Sequence, residues 1–353
     1  MDFATYKTKF ITEAIHSGFS ESELHRCLEY AEKLYSNNVP VIYNTTNLAG
    51  LVGYSKDYLH NAALFTTFFY RNFEIQKKNG TKRSISEPLP SLKEIQYWIL
   101  NTILYKVPVS IYAKAYKPKI GIIDNLKFHK NQSKVLTLDL ENFFASIKTD
   151  EVEKLFLQMG YSKIVSGLMA KLCCKDNSLP QGAPTSPCLS NLFFKPLDTI
   201  LGDYCQMRKI RYTRYADDLT FSGDFDENRL MKKVSETLRK ANLRINKKKT
   251  QLMKPNMRQS VTGIVVNQRP QVVFYKRNSL RQTMYYIKKF GLYEHRRFIG
   301  SNQANYLESL LGQVQFVLQI NPKDDEFRGY YSHLQKLSNE QKQYLNEFEL
   351  FPI

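Results

Sequence analysis

The spacing of hydrophobic positions along this chain changes several times, and each change marks an element. Over residues 1–60, Phe10, Ile11 and Ile15, then Leu24, Cys27, Leu28, Ala31 and Leu34, recur near every 3.6 residues, which predicts helices. Residues 44–59 read as two short helices, the second capped by Ser55. Residues 68–75 are aromatic and β-prone. Asn79-Gly80 follows as a hairpin turn, and a second strand is predicted over 82–86. Helical spacing returns over 92–105. Residues 135–140 (VLTLDL) form a short apolar strand, and helices are predicted over 150–159 and 164–172. The turn-rich LPQGAPTSP of 179–187 leads into a helix reaching about residue 204. Strands over 210–215 and 219–222 flank Ala216-Asp217-Asp218. A helix over 226–241 and strands over 261–266 and 272–275 complete this part, and from about residue 278 the pattern is helical and basic. No repeat or flexible linker interrupts it, so continuous packing is expected.

Charge narrows the partner. Lys and Arg number 51 against 33 Asp and Glu, a net +18. A basic field of that size attracts polyanions, nucleic acid among them, although membranes also attract cations. With 42% hydrophobic residues in 353, the chain can bury a core of two or three subdomains and is not disordered. The 23 Tyr and 22 Phe supply rings that stack on unpaired bases or pack the core. The five cysteines, Cys27, Cys173, Cys174, Cys188 and Cys205, are odd in number and lack a CxxC pair. They argue against a disulfide framework or zinc site and fit a reducing cytosol. MDFATYKTKF has no apolar core, so no signal peptide is expected. No apolar run approaches the roughly 20 residues that span a bilayer. The expected location is the cytoplasm, with no membrane partner.

Candidate chemistry lies in acids placed where acids are costly. Asp217-Asp218 sits between two hydrophobic strands in RYTRYADDLTFSG, and adjacent carboxylates resist joint ionisation. Asp139 interrupts an apolar strand and needs a partner there. Three carboxylates from two strand regions make a set of hard oxygen donors suited to Mg²⁺. Two such ions about 3.5–4 Å apart activate an attacking hydroxyl and stabilise the leaving oxygen in phosphoryl transfer. An Asp-Asp pair alone is more often an ordinary polar turn; the surrounding motifs change the balance.

From about residue 68 to 266 the chain resembles the reverse transcriptases. Tyr215-Ala216-Asp217-Asp218 is similar to their YxDD hairpin. Residues 135–144 (VLTLDLENFF) resemble the strand bearing the first metal aspartate. Residues 179–187 resemble the loop beneath the incoming nucleotide, and Asn246-Lys247-Lys248-Lys249-Thr250 the next palm motif. The resemblance implies an α+β right-hand polymerase with a small antiparallel palm sheet and helical terminal regions. Residues 1–60 would be a helical N-terminal extension, 61–134 fingers with an insertion near 118–131, 135–266 palm with part of the fingers at about 160–180, and 267–353 an RNA-binding thumb. Asp139, Asp217 and Asp218 would hold two Mg²⁺ ions. Phe144 would be a steric gate selecting dNTP substrates, with Gln181 and Tyr215 at the nucleotide. Lys77 and Arg83 would clamp the triphosphate, or else belong to a solvated basic loop. Lys249 would protonate pyrophosphate, unless it belongs to a basic surface run.

Two further segments resemble the retron branch. Asn125-Leu126-Lys127-Phe128-His129 is similar to its NAxxH element, with Leu in place of Ala, and Val261-Thr262-Gly263 to its VTG element. They imply that Asn125, His129, Val261, Thr262 and Gly263 help bind RNA, although a lone His is as often structural. The partner would be a structured noncoding RNA serving as template and primer through a 2′-OH. The product would be branched RNA-linked DNA (msDNA), and an effector protein would act alongside in anti-phage defence. Thumb cations (Lys276, Arg277, Arg281, Lys288, Lys289, Arg296, Arg297) would contact phosphates, while Tyr285, Tyr286, Phe290 and Tyr293 stack on bases or, for most, pack. The other readings are an intron-type or abortive-infection reverse transcriptase, or a silent RNA-binding scaffold. The intact acids argue against the scaffold.

Overall fold

The computed structural model describes residues 2–76 and 80–349. Lys77 lies outside the described residues, with Lys78 and Asn79. The first 64 residues form the helices Phe3–His16, Glu21–Ser36, Thr45–Val52 and Lys56–Leu64. Ser20 and Ser55 start two of them by accepting the N–H three residues on, Ser20 in a capping box with Glu23. These helices are built into the body of the protein: Leu34, Ile42, Leu48 and Leu59 share one core with Ile95, Leu138, Phe194 and Phe221.

Among the described residues, three antiparallel sheets position the functional segments. β1 (Tyr70–Gln76) and β2 (Lys82–Pro88) form a hairpin with Tyr70 opposite Pro88. Phe68 and Phe69, expected in the first strand, instead belong to the 3-10 turn Thr66–Phe69. In the second sheet, β3 (Lys134–Asp139), β4 (Arg211–Tyr215), β5 (Asp218–Gly223) and β6 (Gln251–Met253) lie in the order β4–β5–β3–β6. Helix Ser186–Met207 packs against β4. The third sheet orders β7 (Ser260–Val261), β8 (Ile264–Val265) and β9 (Gln271–Val272) side by side. One strand over 261–266 was expected, but the chain turns at Thr262-Gly263, whose φ angles are +48° and +78°. A two-residue hairpin matches the twist of its strands best with positive φ at both central residues. The strand expected over 272–275 stops at Val272, because helix Phe274–Phe290 begins at once.

Helices Phe274–Phe290, Leu292–Phe298, Tyr306–Ile320 and Asp325–Glu349 close a second core around Met284, Val314 and Phe327, which Val135 and Met253 join from the second sheet. The whole is the α+β right hand expected, with a small antiparallel palm sheet between helical ends. No described helix is long and apolar enough to cross a membrane. All five cysteines are free.

Candidate active site

Register brings the three acids together. Asp139 ends β3 directly opposite Asp218 at the start of β5, and Tyr215 faces Asp218 across β4. Asp217 occupies the two-residue turn between β4 and β5. Its carbonyl accepts the Leu140 N–H at 3.1 Å, tying the turn to the end of β3. Ala216, the other turn residue, has φ +58°, a left-handed conformation that alanine rarely adopts.

The acids oppose one another's ionisation. Burial raises the Asp217 carboxyl above its ordinary range and the charge of Asp139 adds to this, against a backbone hydrogen bond, Lys249 and Arg83. Asp218 is pushed up to about 7 by burial, then by Asp217 and Asp139. Lys249 Nζ donates to both oxygens of Asp139, at 2.8 and 2.9 Å, and that bond raises the ammonium above its ordinary range. Asn246 Nδ2 reaches Asp139 Oδ1 at 3.3 Å, and the Asn246 N–H donates to the Asp139 carbonyl. No three described acid, His or Cys side chains close on a single point. The donors nonetheless fit a hard dication. They are carboxylates only, half-buried, and two of them resist ionisation until positive charge arrives.

Phe143 is buried against Phe194, whereas Phe144 is half-buried, its ring beside that of Phe143. Arg83 lies on β2, close enough for its charge to act on Asp217. The Gln181 carbonyl accepts the Ser86 N–H at 2.8 Å, so the 179–187 loop rests on the β1–β2 hairpin. Gly182 allows this approach: at φ +131°, a Cβ would sit 2.6 Å from the Ser86 carbonyl oxygen.

The expected RNA-contacting residues divide. Asn125 and His129 are fully buried and bond the β4–β5 hairpin. His129 bonds Ser222 Oγ at 2.7 Å and Thr213 Oγ1 at 2.6 Å, and Thr213 Oγ1 also bonds Asn125. Both ring nitrogens of His129 and the Asn125 Oδ1 thus bond hydroxyls of β4 and β5, while Asn125 Nδ2 is buried without a partner. Val261 is likewise in the second core, whereas Thr262 and Gly263 form an accessible turn. Among the thumb cations, Arg277 is paired with Asp324 and Arg281 with Glu326, so these two hold helices together. Packing was expected of most thumb aromatics, yet Tyr285, Phe290 and Tyr293 are exposed; Tyr286 is half-buried and stacks on His295.

Two features escaped sequence reasoning. Tyr116, at φ +57°, places its ring centroid 6.3 Å from that of Phe144. Burial and then the charge of Asp217 raise its hydroxyl. An aromatic residue just before the turn-forming Lys117-Pro118 was the available signal. The second is the fully buried pair Arg214 and Asp198 behind the turn. Its signal was a charge two positions from Tyr212, on the same face of its strand, matched by an acid between Leu197 and Leu201 on the buried face of a helix.

Sequence comparison finds relatives over most of the chain. Residues 75–302 match the family model described as reverse transcriptase (RNA-dependent DNA polymerase). The retron Ec86 reverse transcriptase of Escherichia coli is 32% identical over 314 residues, spanning 86% of this chain and 93% of its own. The retron Mx162 reverse transcriptase of Myxococcus xanthus is 27% identical over 328 residues, spanning 82% and 67%. Among solved structures, telomerase from Candida albicans with a fragment of telomeric RNA aligns over 75% of this chain and 54% of its own, at 11% identity and a TM-score of 0.44.

Proposed function

This chain belongs to the retron-type reverse transcriptases, which are RNA-directed DNA polymerases, and on that premise we propose that it copies part of a structured noncoding RNA into DNA at the Asp139, Asp217 and Asp218 site. The observation that carries the reading is the register of β3 against β5, with Asp139 opposite Asp218 and Asp217 in the adjoining turn. Two Mg²⁺ ions held by these acids would supply Lewis acidity to the attacking hydroxyl and the leaving pyrophosphate. Arg83, with Lys77, binds the triphosphate, and Gln181 orients the nucleotide from the loop that leads into helix Ser186–Met207. Phe144 fills the space a ribose 2′-OH needs and so selects dNTPs, while Tyr215 supports the pocket beside Asp218. Lys249 holds a proton at Nζ that the pyrophosphate can take; its raised affinity for that proton keeps it charged at neutral pH.

The subdomain assignment made from the sequence is retained: fingers over 61–134, palm over 135–266 and thumb from 267. The net charge of +18 and the exposed thumb aromatics favour a nucleic-acid partner. We assign priming to an RNA 2′-OH and the product to branched, RNA-linked msDNA, made in the cytoplasm by a retron that acts in defence with an effector protein. Primer extension with Mg²⁺ tests the site. Asp217→Ala with Asp218→Ala is expected to abolish synthesis while keeping the fold, because removing clustered like charges relieves repulsion. RNA binding should persist. Synthesis equal to wild type would refute the assignment. Sequencing the nucleic acid that copurifies with the protein tests the branched product.

A further inference from the structure

A fully buried arginine sits directly behind the catalytic turn. Arg214 is on β4 opposite Leu219 of β5, and its side chain is wholly shielded from solvent, as is that of Asp198 on helix Ser186–Met207. Arg214 Nη2 donates to Asp198 Oδ2 at 2.8 Å, and Nε reaches both Asp198 oxygens at 3.1 and 3.3 Å. Nη1 donates to Asn191 Oδ1 at 3.0 Å and to the carbonyl of Ala216 at 3.1 Å. The guanidinium carbon lies 4.5 Å from the centroid of Phe194. Every nitrogen of the group is engaged, and one bond ends on the residue that precedes Asp217.

A buried ion pair is poor evidence for stability, since desolvating two charges costs about as much as their attraction returns. What this pair does achieve is geometric. A planar fork can address a carboxylate and a carbonyl at fixed angles, which a lysine cannot. The carbonyl it holds belongs to Ala216, a non-glycine residue in the left-handed region, and such a conformation persists only where its surroundings hold it. Asn191, the third member, also donates Nδ2 to the Ala115 carbonyl at 2.9 Å, next to Tyr116. One helix thus braces both the acid-bearing turn and the Tyr116 segment.

We propose that Arg214, locked by Asp198 and Asn191, is a positioning residue that holds the Ala216-Asp217 turn in its left-handed form and so presents Asp217 to the metal ions. The proposal rests on the reading of Asp139, Asp217 and Asp218 as the metal site. Two variants test it. Arg214→Lys keeps the charge and loses the fork. Arg214→Met with Asp198→Asn removes both charges, leaving none unpaired, and keeps an acceptor for Tyr212, whose hydroxyl donates to Asp198 at 2.7 Å.

Both are compared with wild type by thermal unfolding, RNA binding, Mg²⁺-dependent primer extension and hydrogen exchange of the peptide covering residues 212–222. The expected result for each is RNA binding within twofold of wild type, kcat reduced at least tenfold, the Mg²⁺ half-saturation concentration raised several-fold, and faster exchange in that peptide. A folded variant with wild-type Mg²⁺ dependence and wild-type exchange overturns the proposal. So does a loss of rate with unchanged half-saturation, since that reflects only fewer folded molecules. If the double variant fails to fold, Arg214→Lys decides by the same criteria. Asp217→Ala with Asp218→Ala runs alongside: activity there means that the metal site, not its positioning, was misassigned.

Discussion

His129 offers a stability test that separates a structural role from RNA contact. Its imidazole bonds hydroxyls of β4 and β5 on both nitrogens, and burial, with the charge of Arg211 adding, pushes it down to about 3. The folded protein therefore keeps this ring neutral far below the pH at which the unfolded chain charges it. Between pH 6.5 and 3 the unfolded state binds the extra proton, so stability is fully present above 6.5 and declines as pH falls through that window. From an ordinary 6.5 down to about 3 the full loss is about 5 kcal/mol at 1.36 kcal/mol per pH unit. At pH 5 it is about 2 kcal/mol. Carboxylates titrate over the same range, so the comparison is with His129→Gln, which cannot take up a proton and keeps one hydrogen bond. At pH 7 the variant should be less stable by about 1–3 kcal/mol, the cost of a buried partner left unmet. Urea unfolding followed by circular dichroism at pH 7, 6 and 5 should show this gap closing by about 2 kcal/mol as the wild type alone weakens. A gap that stays constant with pH would refute a buried, neutral His129.

Other substitutions probe separate parts of the site. Gly182→Ala drives a Cβ to within 2.6 Å of the Ser86 carbonyl at φ +131°. It should cost about 1–3 kcal/mol and raise the dNTP KM; an unchanged melting temperature and KM would contradict the close packing of that loop on β2. Thr262→Gly removes a β-branched residue at φ +48° whose hydroxyl is buried without a partner. A gain of about 1 kcal/mol should result, relief of strain outweighing the entropy of glycine, read as a rise in melting temperature; a fall would count against it. Phe144→Ala should raise ribonucleotide incorporation relative to dNTPs by about tenfold or more. Unchanged discrimination in single-nucleotide extension would remove Phe144 from the role of gate.

How much of this was legible in the sequence depended on the range of the interaction involved. The N-terminal helices, the helix after the 179–187 loop and the paired strands around Asp217-Asp218 follow from local periodicity and turn residues, which act within a few positions. The three acids stood out because each sits in an apolar setting. Their convergence required β3 and β5, about eighty positions apart, to pair in one register, and one residue of slip would turn every side chain to the other face. Asn125 and His129 show what local sequence leaves open. Their resemblance to the retron element implied RNA contact, with a structural histidine as an even alternative; that hydroxyls on Thr213 and Ser222 satisfy the imidazole inside the protein depends on how distant segments pack. Arg214 and Asp198 each put a charge on a buried face, a signal that becomes intelligible only once the two are seen as partners.

The chain alone therefore determined most of its helices and strands, its basic character and the acids that mark its chemistry, because hydrophobic spacing and charge are properties of neighbouring residues. Tertiary structure alone decided which polar groups meet. A buried donor must find an acceptor somewhere, and where it does is set by how distant segments pack.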